Sequence, residues 1–246
     1  MKGFHSMHFD IREVLTREQQ MSEAFLLNVV LAFSGGFQDA YTYMVRGHVY
    51  ANAQTGNVVM MSTHLLTGAW QEGLSYFFPL LAFALGVFVS EHIHLFAEEK
   101  HGKLHWRQYV VALEALVMLG VGFMGQGLNL LANCLVSFSC AMQVQAFRTV
   151  HGYGYASTMC IGNIRSCMDS LATYLHTRDA NRLTRAKYYM GVIVAFAIGA
   201  GVGGNLCPRL GEPAIWLCCA LLLFSYWLMG WKGRKRLKQI FQKYGW

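Results

Sequence analysis

Charged side chains are what this chain has least of. Lys, Arg, Asp and Glu make up 13% of its 246 residues, about half the share of a soluble domain, while 54% of the residues are hydrophobic. That scarcity excludes water as the main solvent. No C-x-x-C pair occurs among Cys134, Cys140, Cys160, Cys167, Cys207, Cys218 and Cys219, which excludes a zinc signature and a disulfide framework; the thiols read as small apolar residues. The polar first 21 residues lack the succession of basic start, apolar stretch and small-residue cleavage site, so no cleaved signal peptide is expected. Nucleophile elbow, phosphate-binding glycine loop, paired-carboxylate and H-E-x-x-H signatures are all missing. No catalytic residue, metal or cofactor is therefore assigned, and the reading favours a protein that is not an enzyme. His92, His94, His101 and His105, gathered with three glutamates, read as a solvated loop rather than a metal site.

What is present is apolar sequence in long runs. Six of them approach the roughly 20 residues that a bilayer core demands of a spanning helix: Ala24–Tyr43, Tyr76–Phe96, Tyr109–Met124, Leu128–Phe147, Tyr188–Leu206 and Ala214–Trp231. Residues Phe9–Gln20 read either as a short amphipathic surface helix or as a disordered tail. Of the formal net charge of +7, the tail beyond Trp231 supplies six through Lys232, Arg234, Lys235, Arg236, Lys238 and Lys243. Leu237, Ile240, Phe241 and Tyr244 alternate with them at helical spacing, which suits an anionic lipid surface; nucleic acid is not the expected partner.

An internal repeat organises these runs. Shifting the sequence by 105 places sets Phe33–Ala51 over Phe138–Ala156 with seven of nineteen positions identical, among them Ser34/Ser139, Gln38/Gln143 and Gly47/Gly152. Gly56-Asn57 then meets Gly162-Asn163, and "AFALG" from Ala82 meets "AFAIG" from Ala195. The chain thus divides into a polar segment 1–21, membrane repeats 22–126 and 127–231, and a basic tail 232–246. Each repeat reads as span, short segment, span, span. The short segments after Gly56-Asn57 and Gly162-Asn163 are too brief or too charged for lipid-facing spans, so they read as broken or re-entrant half-helices. The expected fold is an all-α integral membrane protein of about six transmembrane helices in two repeated halves, three and three and inverted, with eight crossings as the alternative. Lys100, Lys103, Arg107, Arg178, Arg182, Arg185, Lys187 and the tail then share the cytoplasmic side with both termini.

Asp39 is the leading site candidate, because a carboxylate near the bilayer centre costs about 2.5–3.5 kcal/mol on insertion scales and demands a partner or a proton. Capping of the turn at Arg46 or Gly47 is the plainer explanation for it. Gln38 and Gln143 occupy equivalent repeat positions, whereas the counterpart of Asp39 is Val144. Thr55, Gly56 and Asn57 form the first interrupted turn, with Thr55 and Asn57 as caps of the following half-helix and Asn163 as cap of its counterpart. A helix N-terminus pointing inward favours an anion, which Arg165 reinforces. Asp169 follows Arg165 by one turn and suits an intrahelical ion pair. His64 and Glu114 join Asp39 as proton-relay candidates, and His151 is a further histidine of that kind; for Glu114, contact with water or Arg107 at a membrane end is the plainer alternative.

The combination "GGFQDA" closing the first span and "NAQTGN" soon after it resembles the signature of the YoaK-like family of polytopic bacterial membrane proteins. The likeness covers residues 22–231. It implies an inner-membrane protein of about six spans and gives weight to Gly36, Asp39, Ala40, Thr55, Gly56 and Asn57, but it implies no substrate. Three functions fit the sequence: a transporter or permease-like protein for an unknown small solute or ion, with proton linkage through Asp39; an intramembrane enzyme acting on a lipid-like substrate; and a non-catalytic scaffold or sensor. Membrane lipids are the expected partner, and a homo-oligomer is left open.

Overall fold

The computed structural model describes residues 25–99, 106–150, 153–154 and 160–244. The proposed N-terminal helix at Phe9–Gln20, together with Lys100, His101, Lys103, His105 and His151, lies outside them. The described chain is α-helical: α1 (Phe25–Val45), α2 (Gln54–Leu66), α3 (Trp70–Glu99), α4 (Trp106–Val121), α5 (Asn129–Ala146), α6 (Cys160–Thr177), α7 (Ala180–Leu210) and α8 (Trp216–Tyr244). A two-residue antiparallel ladder, Thr149–Val150 with Tyr153–Gly154, stands between α5 and α6. Among the described residues, four helices are long and apolar enough to cross a membrane, over Trp70–Phe96, Gln126–Ala146, Ala180–Leu210 and Glu212–Gly230. The backbone of α8 runs on as one helix to Tyr244, so the basic tail extends a crossing helix.

α1 and α4 fall short of that standard for a physical reason. α1 carries Asn28, Gln38 and Asp39, and α4 has only 16 residues. The polar positions of both helices face protein. Leu27, Leu31, Phe37 and Tyr41 of α1 and Val110, Val111 and Met118 of α4 join Val136 and Met142 of α5 and Leu222 of α8 in one buried core. The outer surface is apolar instead, with Phe88 and Leu116 more than half exposed. Such a surface suits lipid rather than water.

Small residues set the helix pairing. A Cβ on Gly36 would collide with the Phe196 carbonyl, one on Gly199 with the Phe33 carbonyl, and one on Gly203 with Ala40. α1 and α7 therefore run side by side in the same direction, backbone against backbone, as small-residue packing permits. α3 and α5 run parallel in the same manner. Gly86 abuts the Phe138 carbonyl, Ser90 Oγ donates to Met142 O at 3.3 Å, and Gln145 Nε2 donates to Glu91. α4 and α8 are antiparallel, joined by Trp216 Nε1 donating to Leu119 O at 3.2 Å and Cys219 Sγ to Ala115 O at 3.3 Å. The short helices pack outside: α2 against α3 through Leu65 beside Gly73, and α6 against α7 through Cys167 Sγ on Ala186 O at 3.4 Å.

Candidate functional site

The chain breaks sharply after α1. Gly47 and His48 both take left-handed backbone angles, φ 90° and 63°, and the His48 amide closes onto Tyr43 O at 3.1 Å. Glycine adopts such angles without strain; His48 is held there with its ring edge-on to Tyr43, centroids 4.8 Å apart. The turn sends residues 49–53 back along α1, so that Asn52 reaches Asp39, six residues or about 9 Å inside the helix end.

An irregular backbone folded into a protein interior must find partners for its amides and carbonyls. Three side chains supply them. Asp39 Oδ1 accepts the Asn52 amide at 2.7 Å and Asn52 Nδ2 at 3.4 Å, with the Ala51 and Ala53 amides also close to the carboxyl. Asn52 Nδ2 donates to Gly35 O at 3.2 Å, which ties the loop to the α1 backbone. Asn57 grips Tyr50 from both sides, accepting its amide at 3.1 Å and donating to its carbonyl at 2.6 Å, and donates to Gln54 Oε1 at 3.0 Å. Only a side-chain amide offers donor and acceptor together in that geometry. Two expectations are corrected here. Helix α2 starts at Gln54, and its N-cap residue, Ala53, makes no side-chain cap; Thr55 is exposed, and Asn57 braces the preceding loop instead of capping. Asp39 does not cap Arg46 or Gly47, because its carboxyl serves the loop beyond them.

Behind Asp39 lies a buried polar layer. Gln38 Nε2 donates to Ser34 Oγ at 3.1 Å, Cys140 Sγ donates to Gln38 Oε1 at 2.7 Å, and Cys218 Sγ approaches Ser34 O at 3.7 Å. Gln143 donates to Leu31 O at 3.3 Å. Glu114 is buried in the same layer. Arg107 Nε donates to Ala146 O at 2.7 Å, so advancing seven residues along α4 to Glu114 corresponds to stepping back seven along antiparallel α5 to Ser139. Cys140, the next residue of α5, accordingly lies within electrostatic range of both Asp39 and Glu114. This corrects the membrane-end reading of Glu114, since Arg107 points to the end of α5 instead.

The residue that sequence reasoning passed over is Arg46. It is fully buried, and its guanidinium donates to Tyr41 Oη at 2.8 Å, Val121 O at 2.9 Å, Asn129 Oδ1 at 3.1 Å and Gly125 O at 3.3 Å. Asn133 Nδ2 donates to the Arg46 carbonyl at 2.8 Å, and Tyr41 donates to Glu212 O at 3.1 Å. A cation over the last carbonyls of α4 meets the negative end of that helix. One side chain thereby joins the end of α1, the end of α4 and the start of α5. The available signal was a lone arginine between an apolar span and a Gly-His turn.

Other candidates are not brought into this centre. Arg165 and Asp169 are exposed on α6 and make no ion pair with each other, which overturns both the anion-reinforcing role and the intrahelical pair. His64 turns back on its own helix, with Nδ1 2.7 Å from Met60 O, and stacks on Tyr76; ten residues of α2 separate it from Gln54, about 15 Å of helix. Gly56 packs against the Tyr50 ring. Asn163 is buried inside α6 rather than at its start, while Cys160, the first residue of α6, lies within electrostatic reach of Asp39.

Helices able to cross a membrane, apolar outer surfaces and a polar interior define the class of α-helical membrane-embedded proteins. Within it, the model of a family described as a protein of unknown function, DUF1275, matches residues 27–228, and the chain belongs to that family. No curated protein and no solved structure matches the chain.

Proposed function

We propose that this chain is a bacterial inner-membrane transporter or permease-like protein for a small solute, built as two inverted halves of three crossings each, in keeping with its YoaK-like resemblance. The exchange of helix pairs supports the halves: swapping α1 with α5 and α3 with α7 turns the α1–α7 pair into the α5–α3 pair. The repeat alignment carries Gly199 on Phe33 into Gly86 on Phe138, and both contacts occur. Because α2 returns to the face where α1 ended, each half crosses three times and the second half starts from the opposite face. Arg107, Arg178, Arg182, Arg185 and Lys187 then fall on one side with the end of α8, and the positive-inside rule makes that side cytoplasmic.

One observation carries the functional reading. The broken entry to α2 is pinned to a buried carboxylate, and Cys160 at the start of α6 lies within electrostatic range of the same group. Interrupted helices meeting at a polar point are the recurrent site architecture of secondary transporters. Asp39 is the proton-linked group in this reading. Reconstituted in liposomes and screened for solute uptake with a proton-flux readout, wild type should couple the two and Asp39→Asn should not. Equal coupled flux in the two proteins would remove Asp39 from the mechanism.

A further inference from the structure

We infer that the mid-depth layer is a cation site: it takes a small monovalent cation, held at Glu114 with Ser139 at the same level, in exchange for the Glu114 carboxyl proton. The solute class follows from which charges the interior leaves unanswered. Glu114 is 1% exposed, and its Oε1 meets no hydrogen-bond partner among the described residues. At the same level Ser139 Oγ is likewise buried and unpartnered among the described residues. Both are oxygen atoms with lone pairs free. The buried positive charges are committed elsewhere: Arg46 to helix-end carbonyls at one face, Arg107 to the Ala146 carbonyl toward the other.

The α2 N-terminus, which by itself would favour an anion, already faces the Asp39 carboxyl. Arg165 is exposed on α6 and adds nothing to the centre. A buried carboxyl with no partner resides as the neutral acid, since an isolated ionised carboxylate is too costly away from water. When a cation arrives, the Glu114 O–H bond breaks, the proton leaves to water, and the cation takes its place against the carboxylate. No net charge is moved into the interior. The titratable groups that neighbouring helices bring toward Glu114 are Cys140 on α5 and Cys219 on α8. Neither brings a positive charge.

The inference borrows the location of the site from the transport reading but is tested by binding alone. Purified protein in detergent is titrated at constant ionic strength with sodium, potassium and methylammonium chlorides, and separately with chloride, acetate and phosphate of one bulky cation. Thermal stability and proton release to a pH indicator are recorded together. Stabilisation that follows the cation, with a proton released for each one bound and with affinity falling about tenfold or more in Glu114→Gln, supports the site. The sodium, potassium and methylammonium arms separate a metal ion from an organic ammonium. Ser139→Ala, expected to weaken binding without abolishing proton release, serves if Glu114→Gln does not fold. Stabilisation that follows the anion, absence of any ion-specific effect, or unchanged cation binding in the folded variant would each overturn the inference. Cation binding with proton release but no flux in vesicles would leave it standing and sink the transport reading instead.

Discussion

The joint between α1 and α2 and the joint between α5 and α6 occupy equivalent places in the sequence repeat, yet they are built differently. The first is a buried lock in which Asp39, Asn52 and Asn57 satisfy a returning backbone, backed by a left-handed Gly47-His48 turn. The second has Val144 at the aspartate position, passes through a two-residue ladder, and begins α6 at Cys160 with Arg165 and Asp169 exposed beyond it. Gln38 and Gln143 are identical by repeat but differ in partner as well: the first receives the Cys140 thiol, the second donates to the α1 backbone. The carboxylate and its hydrogen-bond partners, Asn52 and the neighbouring loop amides, belong to the first joint alone, so the polar centre is asymmetric.

The largest difference should appear at the helix ends. Replacing Arg46 by Met removes four side-chain hydrogen bonds at once and strands the α4 carbonyls, at a cost of about 3–5 kcal/mol. Arg107→Met should cost clearly less, which denaturant-induced unfolding in detergent would resolve; equal losses would mean that the two ends are held equivalently. A second contrast tests likeness rather than difference. Gly86→Val and Gly199→Val each force a side chain into a facing backbone and should each lose about 1–3 kcal/mol. If only one of the two destabilises, the parallel seams are not counterparts. The smallest contrast lies inside the first joint. Asn57→Ala deletes the bonds to Tyr50 and Gln54 and should lower stability by about 1–2 kcal/mol. Thr55→Ala and Arg165→Ala, both at exposed positions, should give no resolvable change in melting temperature; a loss matching that of Asn57→Ala would contradict the lock described here.

Much of the helix plan was legible because hydropathy reports the solvent. The run Tyr76–Phe96 lies within α3, and Tyr188–Leu206 within α7, with the helices extending past the apolar runs by several residues. Asp39 stood out for the same reason, as a carboxylate that lipid would not accept. Its partner did not stand out, because Asn52 lies thirteen residues further on and nothing in its immediate neighbours encodes a returning loop. Thr55 and Asn57 looked like caps since capping residues are recognised by spacing alone. Whether such a side chain faces its own helix or the loop before it depends on where that loop folds. Arg46 was invisible as a buried group because long-range carbonyls, not nearby acids, answer its charge.

The sequence by itself determined that this is a helical, membrane-compatible chain with glycines at its helix seams and a carboxyl group where few are tolerated, since residue type and period decide which surfaces meet lipid. Only the tertiary structure decided which polar atoms meet one another. Burial makes an unmet donor or acceptor costly, so the interior of the bundle selected Asn52 for Asp39, the Val121 and Gly125 carbonyls for Arg46, and, among the described residues, no hydrogen-bond partner for Glu114 Oε1.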